Sequence, residues 1–208
     1  MNEQEARVPT STSLSAWLDK LAQPDGAPGG GAACGVMLGL SAALLRMVAE
    51  YTPDDERAID SAERLVTRRA DALAGAEADG VRSAELGAAL ALSPDDPARD
   101  EQVRATAVGA AQSSVTLGDV GVDLVDELRL LVEIGNPHLA ADLAVAGEAL
   151  AAGIAGASIN LRANLQLAHA HGGDDGLGAL YADAERLQTA RDAAARLAAD
   201  ESRRFDPR

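Results

Sequence analysis

The sequence predicts an all-α fold, a single-domain antiparallel bundle of about seven or eight helices. Three observations support this prediction. Apolar residues recur at helical spacing along most of the 208 residues. No sustained stretch alternates apolar and polar residues with the β-branched and aromatic enrichment that is typical of strands. Aromatic residues make up only 2% of the chain, so small residues have to fill the core through close helix packing.

The first helix is predicted in the segment STSLSAWLDKLAQ, which begins with residues that cap helices well. Four apolar residues of this segment lie on one helical face: Leu14, Trp17, Leu18 and Leu21. Residues 1–10 before it are polar and lack the apolar run of a signal peptide. We therefore expect a disordered N-terminal tail and a cytoplasmic protein.

A second helix is predicted over the apolar run from about residue 32 to residue 51. This run approaches the length of a membrane span, but it contains Arg46 and many small residues that gain little free energy in lipid. We therefore interpret it as a buried core helix. Gly31, Gly35 and Gly39 form a ridge at every fourth position, which lets a neighbouring helix approach closely.

The remaining helices complete a predicted domain over residues 11–200, and residues 201–208 are expected to fray. Apolar spacing and turn residues place these helices at about 52–78, 81–92, 98–115, 120–134, 137–169 and 177–199. Asp79–Gly80 is the expected interruption between the first two of them. A thin, alanine-rich bundle gains buried surface when it dimerises, so we expect a homodimer.

Charge and composition disfavour several classes of function. The formal net charge of −15 argues against nucleic acids and anionic membrane surfaces as partners, because both attract basic proteins. Cys34 is the only cysteine, so an internal disulfide is impossible, and we expect it to be a small buried residue. The 3 histidines and this cysteine lack zinc-ligand spacing, and no nucleotide-binding motif occurs. We therefore expect no metal and no cofactor.

The sequence PGGG, Pro28–Gly31, is the first candidate site because it opens the second predicted helix. The first N–H groups of a helix, together with its dipole, can hold an anion, and glycine lets a ligand touch the backbone. Glycines at this point also permit a tight turn and close packing without any ligand. The residues alone leave both interpretations open.

Polar residues on the long alanine-rich helix form the second candidate site. Asp142 lies among apolar residues, where a carboxylate can serve as a base, and His138 lies four residues earlier and can pair with it. The alternative for Asp142 is an ordinary first-turn residue that favours the helix dipole. Asn160 and Asn164 share one face, where their amides either join helices or bind a heterocycle. Asp142 and Asn160 lie about 27 Å apart on a straight helix, so one site can include both only through a helix break or a dimer interface.

Two groups of residues match signatures that occur together in one protein family. The first signature is a short helix, a Pro-Gly-Gly-Gly turn and a small-residue helix that ends in Met-Val-Ala; Pro28–Gly31 and Met47–Ala49 match it. The second is Gly-Asn-Pro, then an aspartate and two asparagines on an alanine-rich helix. Its matching residues are Gly135, Asn136, Pro137, Asp142, Asn160, Asn164 and Leu165. The chain thus resembles the cyclodeaminase/cyclohydrolase family, which includes the C-terminal domain of formiminotransferase-cyclodeaminase and stand-alone bacterial methenyltetrahydrofolate cyclohydrolases.

This resemblance implies an all-α homodimer that acts on a folate without a further cofactor. One family activity closes 5-formiminotetrahydrofolate to 5,10-methenyltetrahydrofolate with loss of ammonia, and the other hydrolyses the methenyl bridge to 10-formyltetrahydrofolate. Because the sequence has no formiminotransferase domain, the resemblance favours the cyclohydrolase. Asp142 and His138 are the catalytic residues that it implies. The implied substrate-binding residues, which meet an anionic part of the folate or its pterin, are Pro28, Gly29, Gly30, Gly31, Asn136, Asn160 and Asn164.

The sequence departs from the family pattern at several positions. Ala32 and Ala141 stand where the family has serine, and His138 stands where it has asparagine. Asp79 is the counterpart of a family aspartate, but two lysines of the family pattern are absent. Three arginines are candidates to replace them: Arg57, Arg104 and Arg162. These departures support a second hypothesis, a diverged non-catalytic helical dimer of the same fold that acts as a binding or interaction protein.

Overall fold

The structure, a computed structural model, describes residues 12–24 and 28–207, and its regular elements in these ranges are all helical, without a β-strand. The all-α prediction is confirmed. The helices are α1 (Leu14–Leu21), α2 (Gly30–Glu50), α3 (Glu56–Leu90), α4 (Arg99–Ile134), α5 (Ala140–Ala170) and α6 (Gly178–Ser202). The predicted disordered tail, residues 1–10, lies outside the described residues.

The described residues form 6 α-helices, fewer than the seven or eight predicted, because two predicted breaks are absent. Asp79–Gly80 lies buried inside α3, and the break predicted near residue 118 lies inside α4. A glycine inside a helix costs about 1 kcal/mol, but tertiary packing can offset this. A Cβ at Gly118 would lie 2.5 Å from Leu187 Cδ1, so the glycine allows α6 to approach α4 closely.

The C-terminal helix α6 extends past residue 199, where the sequence pattern predicted its end. It ends at Ser202, and Glu201 is only 3% exposed. A short 3-10 turn, Arg203–Phe205, follows it.

Helix α2 packs against α3 and α5 and runs antiparallel to α5. Near the N-terminal end of α2, Gly30 lies next to Asn160. Further along α2, the Ser41 hydroxyl donates a 2.9 Å hydrogen bond to the carbonyl of Ala146. Residue numbers therefore rise along α2 as they fall along α5. The start of α2 lies beside the C-terminal half of α5, and the end of α2 lies toward the start of α5.

The glycine ridge of α2 faces α3. A Cβ at Gly35 would lie 2.6 Å from the Ala72 carbonyl oxygen and 2.6 Å from the Ala76 Cβ. A Cβ at Gly39 would lie 3.6 Å from Leu73 Cδ2. The two backbones are close enough at Gly35 that only a glycine fits. This contact is the Ala/Gly-rich packing that the sequence predicted.

The Gly-Asn-Pro segment lies at the C-terminal end of α2. The Asn136 side chain accepts the backbone N–H of His138 at 3.0 Å and so caps a short 3-10 turn, Pro137–Leu139. The backbone N–H of Asn136 donates to Thr52 Oγ1 at 3.1 Å. Because Thr52 directly follows α2, the two sequence signatures lie at opposite ends of this helix.

An ion pair between an exposed arginine and a buried glutamate connects α3 to α4. Glu127 is 8% exposed, and its carboxylate accepts hydrogen bonds of 2.6 Å and 3.0 Å from the Arg64 guanidinium. The Ser61 hydroxyl donates a further bond of 2.6 Å to it. Both carboxylate oxygens of Glu127 therefore have partners, as a buried charge requires.

The outward sides of α2 and α5 are apolar and uncovered. Two segments, Gly30–Glu50 and Pro137–Ala170, are long and apolar enough to cross a membrane, although core helices of soluble proteins share these properties. Only 56% and 50% of their most apolar windows are buried. We call the uncovered surface the α2–α5 face. Its exposed apolar residues are Leu40, Ala43, Val145, Ala152 and Ile159.

Candidate functional site

The candidate segment Pro28–Gly31 forms the turn into α2. Gly29 is the N-cap residue, and no side chain caps this end through it. The first backbone bond of the helix runs from the Ala33 N–H to the Gly29 carbonyl at 3.1 Å. The N–H groups of Gly30 and Gly31 precede this bond, so they have no partner within the helix. Gly30 is exposed, which leaves its backbone open to a ligand.

The structure brings Asn160 to this turn. A Cβ built on Gly30 would lie 3.7 Å from Asn160 Oδ1 and 3.8 Å from Nδ2. Asn164 lies one turn further along the same face of α5, and both asparagines are half-buried. Gly30 of the first sequence signature and Asn160 of the second therefore lie together at this end of the bundle.

The anion position at the start of α2 is already occupied by Asp79 of α3. The Asp79 carboxylate lies directly against Gly31, where a Cβ would overlap it. It accepts the backbone N–H of Ala32 and, at 3.4 Å, the hydroxyl of Ser83. A folate carboxylate would have to compete with Asp79 for the Ala32 N–H. The exposed backbone N–H of Gly30 can donate to an acceptor atom of a heterocycle.

We call Gly30, Gly31, Asp79 and Asn160 the glycine-end cluster. Its carboxylate is buried, since Asp79 is 7% exposed, and burial raises the pKa of Asp79 above its usual value. The hydrogen bonds from Ser83 and the Ala32 N–H oppose this rise in pKa. None of the groups that act on the carboxylate is a cation.

Cys34 lies one turn into α2, below the glycine-end cluster. Its thiol donates a 3.0 Å hydrogen bond to the Gly30 carbonyl. Burial, with a smaller contribution from the Asp79 charge, raises the pKa of Cys34 to about 11. The thiol is therefore protonated at neutral pH, and Cys34 is the small buried residue that the sequence predicted.

Trp17 covers the first turn of α2 from outside the bundle. It is the buried residue of α1 and packs with Ala32 and Ala76. Its indole nitrogen Nε1 is buried and has no hydrogen-bond partner among the described residues. Ala76 lies one turn before Asp79 on α3, so Trp17 and the glycine-end cluster are neighbours.

Asp142, His138 and Asn136 lie at the other end of the bundle. Helix α5 continues without a break from Ala140 to Ala170, so Asp142 and Asn160 are about 27 Å apart in one chain. His138 lies in the 3-10 turn before α5, and helical i, i+4 spacing does not apply there. Within residues 12–24 and 28–207, His138 forms no ion pair with Asp142. The Asn136 side chain already accepts the His138 N–H as the cap of this turn.

Asp79 is the site residue that the candidate list from the sequence missed. The Asp-Gly pair indicated a helix break, and an interrupted helix would not have aligned Asp79 with α2. The available signal is its spacing, since Ala72, Ala76 and Asp79 are at i, i+4 and i+7 on the buried side of α3. A carboxylate on an apolar stripe indicates a specific polar contact. Among the described residues, no group of three or more His, Cys, Asp or Glu side chains could hold a metal ion.

Comparisons with known proteins agree with this architecture. The family described as formiminotransferase-cyclodeaminase matches residues 13–171. A crystal structure of formiminotetrahydrofolate cyclodeaminase from Thermotoga maritima superposes with a TM-score of 0.80 at 22% sequence identity. The superposition covers 92% of this chain and 96% of that chain. The search of curated proteins found no match.

Proposed function

Because the chain belongs to the formiminotransferase-cyclodeaminase family, we propose that it is an enzyme that acts on a tetrahydrofolate derivative. The favoured reaction is the hydrolysis of 5,10-methenyltetrahydrofolate to 10-formyltetrahydrofolate. The closure of 5-formiminotetrahydrofolate with loss of ammonia is the second candidate. Both reactions pass through a tetrahedral carbon between N5 and N10, so one site can serve either.

The hydrolysis sets the chemical requirements of the site. Water adds to the cationic bridge carbon, and the bond from this carbon to N5 then breaks. The water oxygen becomes the formyl oxygen, one of its protons goes to N5, and the other is released. The site therefore needs groups that bind the pterin and groups that accept and return a proton.

The contact between Gly30 and Asn160 is the single observation that carries this proposal. It joins an exposed helix start with open N–H groups to an amide that both donates and accepts hydrogen bonds. A pterin presents alternating donors and acceptors along one edge, which such a pair can bind. We propose that Pro28, Gly29, Gly30, Gly31, Asn160 and Asn164 form the substrate-binding part of the site.

We further propose that the site is completed across a homodimer. Two copies that pack their α2–α5 faces together about a two-fold axis place antiparallel helices against each other. Leu40 is at the middle of α2 and 54% exposed, and Ala152 is near the middle of the Asp142–Asn160 span. An axis near these residues carries the glycine end of one copy to the Gly-Asn-Pro end of the other.

In this assembly, Asp142 and His138 of the partner subunit supply the proton transfer, and Asn136 lines the same end. The continuous helix α5 supports this assignment, because it leaves no way to bring Asp142 to Asn160 within one chain. Dimerisation also covers apolar residues that are otherwise exposed, such as Leu40, Val145 and Ile159.

The test is an absorbance assay of 5,10-methenyltetrahydrofolate with the purified protein. We expect the methenyl band to decay faster than in buffer, and Asn160→Ala and Asp142→Asn each to lower kcat/KM by at least about a hundredfold. Asp95→Asn, in the exposed turn before α4, is the control and should keep full activity. Ammonia release from 5-formiminotetrahydrofolate is measured in parallel to separate the two reactions.

Decay at the buffer rate, with no ammonia release, would contradict the enzymatic proposal. Calorimetric titration with tetrahydrofolates then distinguishes the remaining case. Binding without turnover would indicate a non-catalytic folate-binding dimer. No binding would leave an interaction protein of the same fold.

A further inference from the structure

Thr52 connects the end of α2 to a segment that is distant in sequence. It lies two residues after Glu50, the last residue of α2. Its hydroxyl donates a 2.9 Å hydrogen bond to the Val48 carbonyl and accepts the backbone N–H of Asn136, 84 residues away, at 3.1 Å. Because the hydroxyl has a single hydrogen to donate, these two bonds fix its direction.

Other threonines among the described residues show which of these bonds is ordinary. The hydroxyls of Thr106, Thr116 and Thr189 each donate to the carbonyl four residues earlier, as helical threonines commonly do. Thr52 makes the same bond to Val48, but its hydroxyl also accepts a hydrogen bond from a distant backbone. This second bond is the feature that requires an explanation.

Asn136 transmits the constraint to His138. The Asn136 side chain accepts the backbone N–H of His138 at 3.0 Å, and the intervening residue, Pro137, has a restricted φ. The place of the His138 backbone therefore follows from that of Asn136. The place of Asn136 follows in turn from the hydroxyl of Thr52.

The two groups proposed for proton transfer differ in how they are held. Asp142 lies in the first turn of α5, a helix that packs against α2, α4 and α6. His138 is exposed in the 3-10 turn before α5, and within residues 12–24 and 28–207 its ring forms no hydrogen bond or ion pair. Helix packing thus holds Asp142, whereas the place of His138 depends on the turn that Thr52 anchors.

We infer that Thr52 is a positioning residue of the proposed reaction: through Asn136, its hydroxyl sets the place of His138 for proton transfer. This inference rests on the proposed function, and Thr52 does not itself touch the substrate. Placement matters because a displacement of a reacting group by about 1 Å can lower the rate by about a hundredfold. A weaker bond of 3.4 Å, from Asn136 Nδ2 to the Tyr51 carbonyl, still holds the segment when the hydroxyl is removed.

The variant Thr52→Val tests this inference because it keeps the shape of the side chain and removes both hydrogen bonds. With 5,10-methenyltetrahydrofolate as the probe, we expect kcat to fall about tenfold. KM should stay unchanged, because the proposed contacts with the substrate at Gly30 and Asn160 lie at the other end of the bundle. Thr52→Ser keeps the hydroxyl and should retain the wild-type kcat. Thr116→Val removes an ordinary helical threonine bond and should leave both constants unchanged.

The double variant Thr52→Val/His138→Ala separates positioning from a merely structural role. If Thr52 acts through His138, its effect on kcat disappears in the His138→Ala background. Persistence of the full effect there would overturn the inference, and so would an unchanged kcat for Thr52→Val or a rise in KM that accompanies the fall in kcat.

Circular dichroism and sedimentation check that each variant keeps the fold and the oligomeric state of the wild type. Should Thr52→Val not fold, Thr52→Cys takes its place in the same comparisons, because a thiol is a weak donor and acceptor. A wild-type protein that does not turn over the folate would instead contradict the proposed function, and the inference with it.

Discussion

At the scale of single residues, Gly31 and Asp79 depend on each other. The glycine leaves the space that the carboxylate fills, and the carboxylate satisfies an N–H group that the helix start leaves open. This exchange places a charged group inside a core built from small residues. Because burial disfavours its ionised form, this carboxylate is expected to lower the stability of the folded protein when it is ionised.

The stability of the protein should reflect the ionisation of Asp79. Because burial raises the pKa of Asp79, the folded state binds its proton more tightly than the unfolded state does. Protonated Asp79 therefore stabilises the folded state fully below the ordinary aspartate pKa. This stabilisation is lost as the pH rises through the raised pKa. We expect Asp79→Asn to be at least as stable as the wild type at neutral pH, with an advantage that disappears on acidification. Asp79→Ala, which removes the cap, should lose about 1 kcal/mol.

Urea unfolding of these variants between acidic and neutral pH measures both effects. A wild-type protein more stable than Asp79→Asn at neutral pH would contradict the assignment of Asp79 as an uncompensated buried charge. Partly exposed acids such as Asp55, whose pKa is lowered by its hydrogen bonds with Arg57, act in the opposite direction in all variants. The comparison between variants cancels their contribution.

The residues of the candidate site were predictable from the sequence only in part. Gly30 and Asn160 were both identified, because each belongs to a recognisable local pattern. Their contact depends on the antiparallel register of α2 and α5, which no local pattern encodes. Asp79 was matched to a family aspartate but was not included among the site residues, because its contact with Gly31 is distant in sequence and an Asp-Gly pair locally predicts a helix break.

At the scale of helices, glycines determine how closely the elements pack. Gly35 allows the backbone of α2 to approach α3, and Gly118 allows α6 to approach α4. The periodic apolar pattern predicted the helical class correctly, since it needs only local spacing. The breaks within α3 and α4 were wrongly predicted, because glycine weakens a helix in isolation while tertiary contacts decide whether it breaks.

The role of Gly35 can be separated from its helix propensity. Alanine at position 35 would place its Cβ 2.6 Å from the Ala72 carbonyl oxygen, so we expect Gly35→Ala to lower the free energy of unfolding by about 1–3 kcal/mol. Gly109 in α4 has no atom within 4 Å of an added Cβ, and Gly109→Ala should raise this free energy by about 0.5–1 kcal/mol. Chemical denaturation of the pair provides the measurement. Stabilisation by both substitutions would show that α2 and α3 do not approach as closely as described.

At the scale of the whole molecule, the two sequence signatures lie at opposite ends of one bundle. The Pro28–Gly31 turn begins α2, and the Gly-Asn-Pro segment lies beside its C-terminal end. A single active site that uses both signatures therefore requires a second copy. The α2–α5 face, which is apolar and uncovered in the single chain, is the surface that we propose for this second copy.

Mixed dimers test whether each site is shared between two chains. Asp142→Asn and Asn160→Ala subunits are each expected to be nearly inactive alone. In a mixed dimer with shared sites, one site carries both substitutions and the other carries neither. When the two variants are unfolded and refolded together, half of the dimers are expected to be mixed. Because one of the two sites in each mixed dimer is intact, about a quarter of the wild-type activity should return.

Methenyl absorbance before and after subunit exchange measures this recovery. Complete inactivity of the mixture, with dimers confirmed by sedimentation, would contradict a shared site. It would indicate that each chain needs both of its own residues for activity. Mixing Asp142→Asn with His138→Ala is the matched control. Both residues belong to the same end, so each site in such a dimer remains defective and no activity should return.

The position of Trp17 gives the protein its own optical probe. It is the only tryptophan in the chain, so fluorescence excited at the indole band comes from one known point. That point lies against Ala32 in the first turn of α2, and its indole N–H has no hydrogen-bond partner among the described residues. Indole emission shifts with local polarity and is quenched by nearby pterins through energy transfer. Occupancy of the glycine end can thus be followed in the unlabelled protein, independently of whether any chemistry takes place there.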